Sequence, residues 1–346
     1  MKALVYGGPG EKDWTEVPDP TITDPRDAII RVDTVTICGT DLHILKGDVP
    51  TVQNGRILGH EAVGTVVSVG SGVSGLAEGD RVLASCISAC GVCRYCRVGS
   101  YGQCRNGGGW ILGHLVDGVQ SEYARLPFAD LSTYKLPASI SDEAAVMLAD
   151  ILPTSYEVGV LNGQVRPGDT VAVVGAGPIG LAAILTAKLY SPSHIVAIDK
   201  AETRLQAAKQ FGADMTISPD ADPAAAIMAI TDGLGADVAI EAVGVPETFE
   251  LCTTLVRPGG RVANIGVHGK PATLHLEDLW IRNVAITTGL VDTYSTPTLL
   301  RMLGAGQLDV GNMITHRFGF DEFLHAYEIF GSPATTGALK VVVSRT

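Results

Sequence analysis

Apolar positions along the chain fall into two textures. Up to about residue 150 they form short β-type runs, broken early by Pro18, Pro20 and Pro25. Ala28 to Val32 (Ala-Ile-Ile-Arg-Val) predicts a buried strand leading toward Cys38, Ala62 to Gly70 a second strand, and Arg81 to Ala84 a third, opened by Gly79-Asp80. From about Thr170 the pattern becomes an alternation of strands and helices. Strands are predicted at Thr170–Val174, His194–Ile198, Asp237–Ala242, Arg261–Val267 and Val284–Thr288, with helices over Leu181–Leu189, Glu202–Phe211 and Glu247–Val256. Such alternation implies a parallel sheet with helices on both faces. Beyond residue 290 the texture is mixed: helices are expected at Thr298–Leu303 and Glu322–Phe330, and a last strand at Leu339–Val343. This tail is expected to return to the first domain.

Length agrees with more than one core, since 346 residues exceed what a single ordinary domain holds. A content of 46% hydrophobic and 18% charged residues is that of a well-packed globular enzyme. The net charge of -12, with no basic stripe, argues against nucleic acid as a partner. The N-terminal residues lack the apolar core of a secretory signal. The uncharged run Val171 to Ala187 is interrupted by Gly175, Gly177, Pro178 and Gly180, so it reads as strand, turn and helix rather than a membrane span. The expected location is the cytoplasm, and there the seven cysteines point to metal ligands rather than disulfides.

Candidate chemistry starts at Cys38-Gly39-Thr40-Asp41-Leu42-His43, read with Gly59-His60-Glu61. A thiolate at Cys38 and an imidazole at His60 suit Zn²⁺, and a catalytic zinc needs a third protein ligand and one open position. On these two residues alone, a buried free cysteine and a satisfied core histidine explain the pattern equally well. Cys90, Cys93, Cys96 and Cys104 form C-x2-C-x2-C-x7-C, a spacing that can close a tetrahedral zinc site holding a loop poor in apolar residues. An iron–sulfur cluster is the alternative. Cys86 and Cys252 have no partner pattern. The turn Gly175-Ala176-Gly177-Pro178-Ile179-Gly180 follows a strand, opens a helix, and is followed by Asp199 at a strand end. That is the context of a dinucleotide-binding fingerprint, with pyrophosphate at the helix N-terminus and Asp199 on the adenosine ribose. Asp199 favours NAD over NADP, and neighbouring Lys200 and Arg204 soften that preference. A glycine-rich turn without a ligand is the bland reading.

Taken together, the Cys38–His43 segment, the run Gly59-His60-Glu61-Ala62-Val63-Gly64, the four-cysteine lobe and the glycine turn resemble the zinc-dependent medium-chain alcohol dehydrogenases over nearly the whole chain. The resemblance implies a GroES-like catalytic domain, residues 1–153 and 291–346, with a Rossmann NAD-binding domain inserted at 154–290 and an active site in the cleft between them. It implies two zinc ions per chain, one catalytic and one structural. The family's third catalytic ligand is a Cys or a carboxylate. With no Cys between Cys104 and Cys252, the segment Met147 to Thr154 looks like the Asp branch, making Asp150 the candidate and Glu61 its rival. Thr40 and His43 match the family's proton relay and Asp41 the carboxylate that orients His60. Trp110 matches a pocket-lining aromatic of the secondary-alcohol branch, or else packs the lobe. Lys340 resembles a basic residue meeting the cofactor pyrophosphate, or else is a solvated lysine. The implied reaction is reversible oxidation of secondary or broad-range alcohols to ketones or aldehydes with hydride transfer to NAD, by a homotetramer or failing that a dimer. A polyol, threonine or formaldehyde dehydrogenase of the same architecture is the alternative, and a non-enzymatic zinc- and NAD-binding redox sensor a remote one.

Overall fold

The computed structural model describes residues 1–345 and divides into two compact units. The first comprises Met1–Asp150 and the C-terminal stretch from Asp292. Its seven-stranded sheet runs Ile314–Gly319, Lys340–Ser344, Ala28–Thr36, Ala62–Val69, Arg81–Ala84, Thr133–Lys135, with Tyr123–Leu126 paired to Ala28–Thr36 off that path. The first pair is parallel and the others antiparallel. Ala28–Thr36 alternates buried and half-buried positions before ending in three buried ones, so Ile30, Val32 and Val35 enter the core. The last strand pairs with it, Val342 opposite Thr36 and Val343 opposite Val35, which is how the tail completes the first unit. Leu4, Leu58, Phe323 and Val341 meet in the same core, each burial contributing about 1.5–3 kcal/mol before entropy is charged against it.

The second unit, Ile151–Val291, is a six-stranded, wholly parallel sheet. Its order is Met215–Ile217, His194–Ile198, Thr170–Val174, Ala236–Glu241, Val256–Asn264, Ala285–Thr288. Numbered along the chain this is 3-2-1-4-5-6, with the reversal between Thr170–Val174 and Ala236–Glu241, where doubly wound sheets bind ligands. All five residues of Thr170–Val174 are buried, as a strand covered on both faces requires.

Two helices begin earlier than the apolar pattern predicts. The expected Leu181 start lies at Pro178 and the expected Glu247 start at Pro246, because proline suits the first helical turn, where its missing N–H is not needed. The expected strand Arg261–Val267 instead spans Val256–Asn264, crossing Pro258-Gly259-Gly260 with a register shift against its neighbour. One helical run, Asp142–Leu161, matches a membrane span in length and hydropathy, yet 72% of its apolar window is buried inside the protein, the mark of a core helix.

Candidate active site and cofactor cradle

The strand Ala28–Thr36 delivers Cys38 to the N-cap of the helix Gly39–Lys46. Asp41, in the first turn, turns its carboxylate back so that Oδ2 accepts the Cys38 N–H at 3.0 Å. His60 precedes the strand Ala62–Val69, and Asp150 follows the turn after the helix Asp142–Val146. These segments bring one ligand atom each from Cys38, His60 and Asp150 within 4.8 Å of one another. Asp150 Oδ2 lies 3.3 Å from His60 Nε2 and 3.6 Å from Cys38 Sγ. Around a tetrahedral zinc with bond lengths of about 2.0–2.3 Å, ligand atoms stand about 3.3–3.8 Å apart.

The surroundings match a cation in that place. Burial pushes the Cys38 thiol up, and the charge of Glu61 adds to the effect more than hydrogen bonding to His60 relieves it. Burial opposes a charged His60, but hydrogen bonds to Asp150 and Cys38 overcome it and lift the imidazole well above its ordinary value. Both shifts favour protons on atoms that a bound metal would displace. His60 Nδ1 and Asp41 Oδ1 face each other at 3.9 Å, both buried and neither hydrogen-bonded. A metal on Nε2 fixes the ring proton on Nδ1, and Asp41 is the acceptor waiting there. The donor set and this orphaned pair both fit zinc.

Glu61 is placed differently from the three. Its Oε2 lies 2.6 Å from Lys340 Nζ and accepts the Thr36 hydroxyl. This corrects one reading of Lys340: it is not a solvated lysine, because it is 2% exposed and also donates to the Ile37 carbonyl at 3.3 Å. Thr40 Oγ1 accepts from Cys38 Sγ at 3.6 Å. His43, three residues along the same helix face, uses Nδ1 on Asp48 at 2.8 Å, which leaves Nε2 as the other end of its ring. The Trp110 ring stands edge-on to His60 at 6.3 Å and stacks on His114 at 4.3 Å. Gln120, Tyr327 and Thr36 also reach this centre, and no motif in the sequence marks them.

Cys90, Cys93, Cys96 and Cys104 likewise converge, all within 4.8 Å, with Cys90 and Cys96 sulfurs 3.9 Å apart. Backbone N–H groups of Arg105 and Cys96 hold Cys93 down to about 6, while burial and the neighbouring sulfurs push Cys96 up to about 12. The lobe's own buried cluster is only Ala89, Cys90 and Cys96. So small a core leaves little apolar packing to hold the loops together, and four converging thiols are a donor set that would suit a metal.

In the second unit, Gly175 turns the chain at φ +99° and the helix starts at Pro178 with Gly177 as its cap. A side chain at Gly180 would put its Cβ 1.8 Å from the Gly175 carbonyl oxygen, so only glycine lets helix and turn come this close. Ile179 accepts the Ser155 hydroxyl through its carbonyl at 2.9 Å. Asp199 accepts the Ala176 and Ala201 N–H groups, each at 2.8 Å, and Arg204 Nη1 lies 3.8 Å from it. Asp199, Lys200 and Arg204 line a cavity of about 570 Å³ together with Val243, Val245 and Thr248. Those last residues carried no sequence signal. Glu241 holds that wall, accepting from the N–H groups of Val243 and Gly244 and from the Thr248 hydroxyl.

Comparison with known proteins agrees with this geometry. Residues 24–138 match the alcohol dehydrogenase GroES-like domain family, and residues 178–304 match the zinc-binding dehydrogenase family. The chain is 36% identical to an alcohol dehydrogenase of Cupriavidus necator, over 99% of this chain and 98% of that protein. The chain belongs to the zinc-dependent medium-chain alcohol dehydrogenases. The solved structure of zinc dependent alcohol dehydrogenase 2 from Streptococcus pneumonia superposes on this dehydrogenase with a TM-score of 0.95 and 49% identity, covering 100% of this chain and 98% of that one. An L-threonine 3-dehydrogenase of Pyrococcus horikoshii is 34% identical over 97% of both chains. The dehydrogenase is therefore an enzyme of zinc-dependent alcohol oxidation that uses a nicotinamide cofactor, and its fold is a GroES-like domain with a Rossmann sheet.

Proposed function

We propose that this enzyme oxidises secondary or broad-range alcohols to ketones or aldehydes with NAD, and that Cys38, His60 and Asp150 hold its catalytic zinc. The convergence of those three ligand atoms beside the Thr40 hydroxyl carries the reading. Zinc there supplies Lewis acidity, lowering the pKa of an alcohol hydroxyl, and NAD supplies the hydride acceptor. The chain's own residues do the rest. Thr40 accepts the substrate's proton through Oγ1, and His43, oriented by Asp48, takes it toward solvent. Asp41 keeps the His60 proton on Nδ1. Lys340 and Thr36 hold Glu61 out of the ligand set, which leaves Asp150 as third ligand. Trp110 gives the site an apolar wall beside His60, suited to a hydrophobic alcohol.

The four cysteines of the lobe would hold a second, structural zinc, making two per chain. Asp199 supports NAD over NADP, since its carboxylate repels a 2′-phosphate and partly neutralises Arg204. A homotetramer, or a dimer, is supported by the outermost strand Ala285–Thr288 and the exposed Leu276, Trp280 and Ile281 beside it in sequence. We place the enzyme in the cytoplasm, where thiolate–metal clusters stay reduced. A threonine, polyol or formaldehyde dehydrogenase shares the architecture, and the resemblance to a threonine dehydrogenase keeps the first in play. Steady-state rates on 2-propanol, threonine, sorbitol and formaldehyde, with NAD and NADP side by side, test the proposal. The highest kcat/KM on 2-propanol with NAD is expected. Preference for threonine or sorbitol would move the substrate class, and zinc binding without turnover on any of them would mean a redox sensor.

A further inference from the structure

A chain of buried polar groups runs from the C-terminal helix to the candidate metal ligand. Tyr327, on the helix Phe323–Gly331, donates its hydroxyl to Gln120 Oε1 at 2.8 Å, across 207 residues of sequence. Gln120 Nε2 donates to Asp41 Oδ2 at 3.0 Å and to the Thr36 carbonyl at 3.4 Å. Asp41 Oδ2 also accepts the Cys38 N–H, and its Oδ1 faces His60 Nδ1. Tyr327 is 2% exposed, Gln120 and Asp41 0% and His60 3%, so water does not substitute for any link. A Cβ at Gly59 would lie 2.4 Å from Gln120 Cγ, so the glycine before His60 makes room for this amide.

The chain has one direction. Turning the Gln120 amide over would set its oxygen against the Asp41 carboxylate and the Thr36 carbonyl, three acceptors together with no proton among them. The phenol, as a donor to Oε1, holds the amide the other way round. Two donors from different segments, Cys38 N–H and Gln120 Nε2, then pin the Asp41 carboxylate so that Oδ1 is left for His60. Partners of this kind orient ligating histidines, and losing one typically costs 10–100-fold in metal affinity.

We propose that Gln120 and Tyr327 are positioning residues of the catalytic metal centre, fixing Asp41 against His60 and so tying the C-terminal helix to the metal. This rests on the assignment of Cys38, His60 and Asp150 as metal ligands. The test uses the full-length protein loaded with Co²⁺, comparing wild type, Tyr327→Phe and Gln120→Leu by visible absorption and by release to a chelator. In Tyr327→Phe, which keeps the ring and removes one hydroxyl, the cobalt bands of the catalytic site should shift. Release from that site should be about tenfold faster, with release from the four-cysteine lobe unchanged. Gln120→Leu should act more strongly, and if it fails to fold, Tyr327→Phe decides alone. A wild-type spectrum or a wild-type release rate in Tyr327→Phe overturns the proposal. If instead wild type binds cobalt only in the four-cysteine lobe, the ligand assignment fails, a result distinct from loading that is indifferent to Tyr327.

Discussion

Lys340 Nζ and Glu61 Oε2 sit 2.6 Å apart with both side chains at most 3% exposed, joining the last strand to the residue after His60. Removing one member of such a pair leaves a buried charge without compensation, typically costing about 3–5 kcal/mol. Lys340→Met should lower the free energy of urea unfolding by about that amount. The double variant Lys340→Met with Glu61→Met should be less destabilised than Lys340→Met alone, since the stranded carboxylate is gone. A single-variant loss under about 1 kcal/mol would show that the pair is not held as the structure has it.

Cys38 and Cys96 should fail in different ways. Cys38→Ser should abolish turnover while leaving thermal stability and NADH binding close to wild type, because the glycine turn proposed to bind the cofactor belongs to the other unit. Cys96→Ala should first lower stability or yield, because it removes one of the four thiols proposed to hold a structural metal in a lobe with almost no apolar core of its own. Thermal melts beside alcohol-dependent NADH formation separate the two, and an unchanged melting temperature in Cys96→Ala would contradict a structural metal.

Asp199 shapes the glycine turn and lines the cavity that we propose takes the cofactor's ribose. Asp199→Ala removes the acceptor of two backbone N–H groups and the charge facing Arg204. Hydrogen bonds to a charged group contribute about 1.5–3 kcal/mol, so NADH affinity should fall by at least tenfold. NADPH affinity should fall less or rise, because Arg204 loses its counter-charge. Fluorescence titration with both cofactors measures the ratio; an unchanged ratio would remove Asp199 from the discrimination.

How much of this was legible in the sequence depended on burial. The parallel strands Thr170–Val174 and His194–Ile198 match the expected ranges residue for residue, since a strand covered on both faces is a continuous apolar run. Ile314–Gly319 went unseen: it lies at the sheet edge, pairs with one neighbour only, and places Thr315, His316 and Arg317 in succession. The helix Pro223–Ile230 was missed too, because its small alanines give little amphipathic signal and its first residue is a proline. At the site, Cys38 and His60 stood out by residue type, while Asp150 entered only through family resemblance. The burial of Lys340 against Glu61 went unseen because lysine is rarely buried. Gln120 and Tyr327 lie far apart in sequence, and only the fold brings them to Asp41.

Metal uptake at Cys38, His60 and Asp150 should depend steeply on pH. In the metal-free protein, burial raises the Cys38 thiol, and the Asp150 and Cys38 hydrogen bonds, prevailing over burial, raise His60. Both groups therefore keep their protons through neutral pH, and a zinc ion must displace both to bind the thiolate and the neutral imidazole. Affinity then rises with pH, its logarithm climbing by about two per pH unit while pH stays below both folded values, and flattening above them. The four-cysteine lobe starts from a different state: Cys93, held near 6, is already largely thiolate at neutral pH, while Cys96, near 12, must give up its proton. Chelator competition at several pH values, with proton release measured by calorimetry in buffers of different ionisation enthalpy, distinguishes the sites. Uptake at the catalytic site that releases no protons near neutral pH would mean that Cys38 and His60 are not the pair the metal displaces.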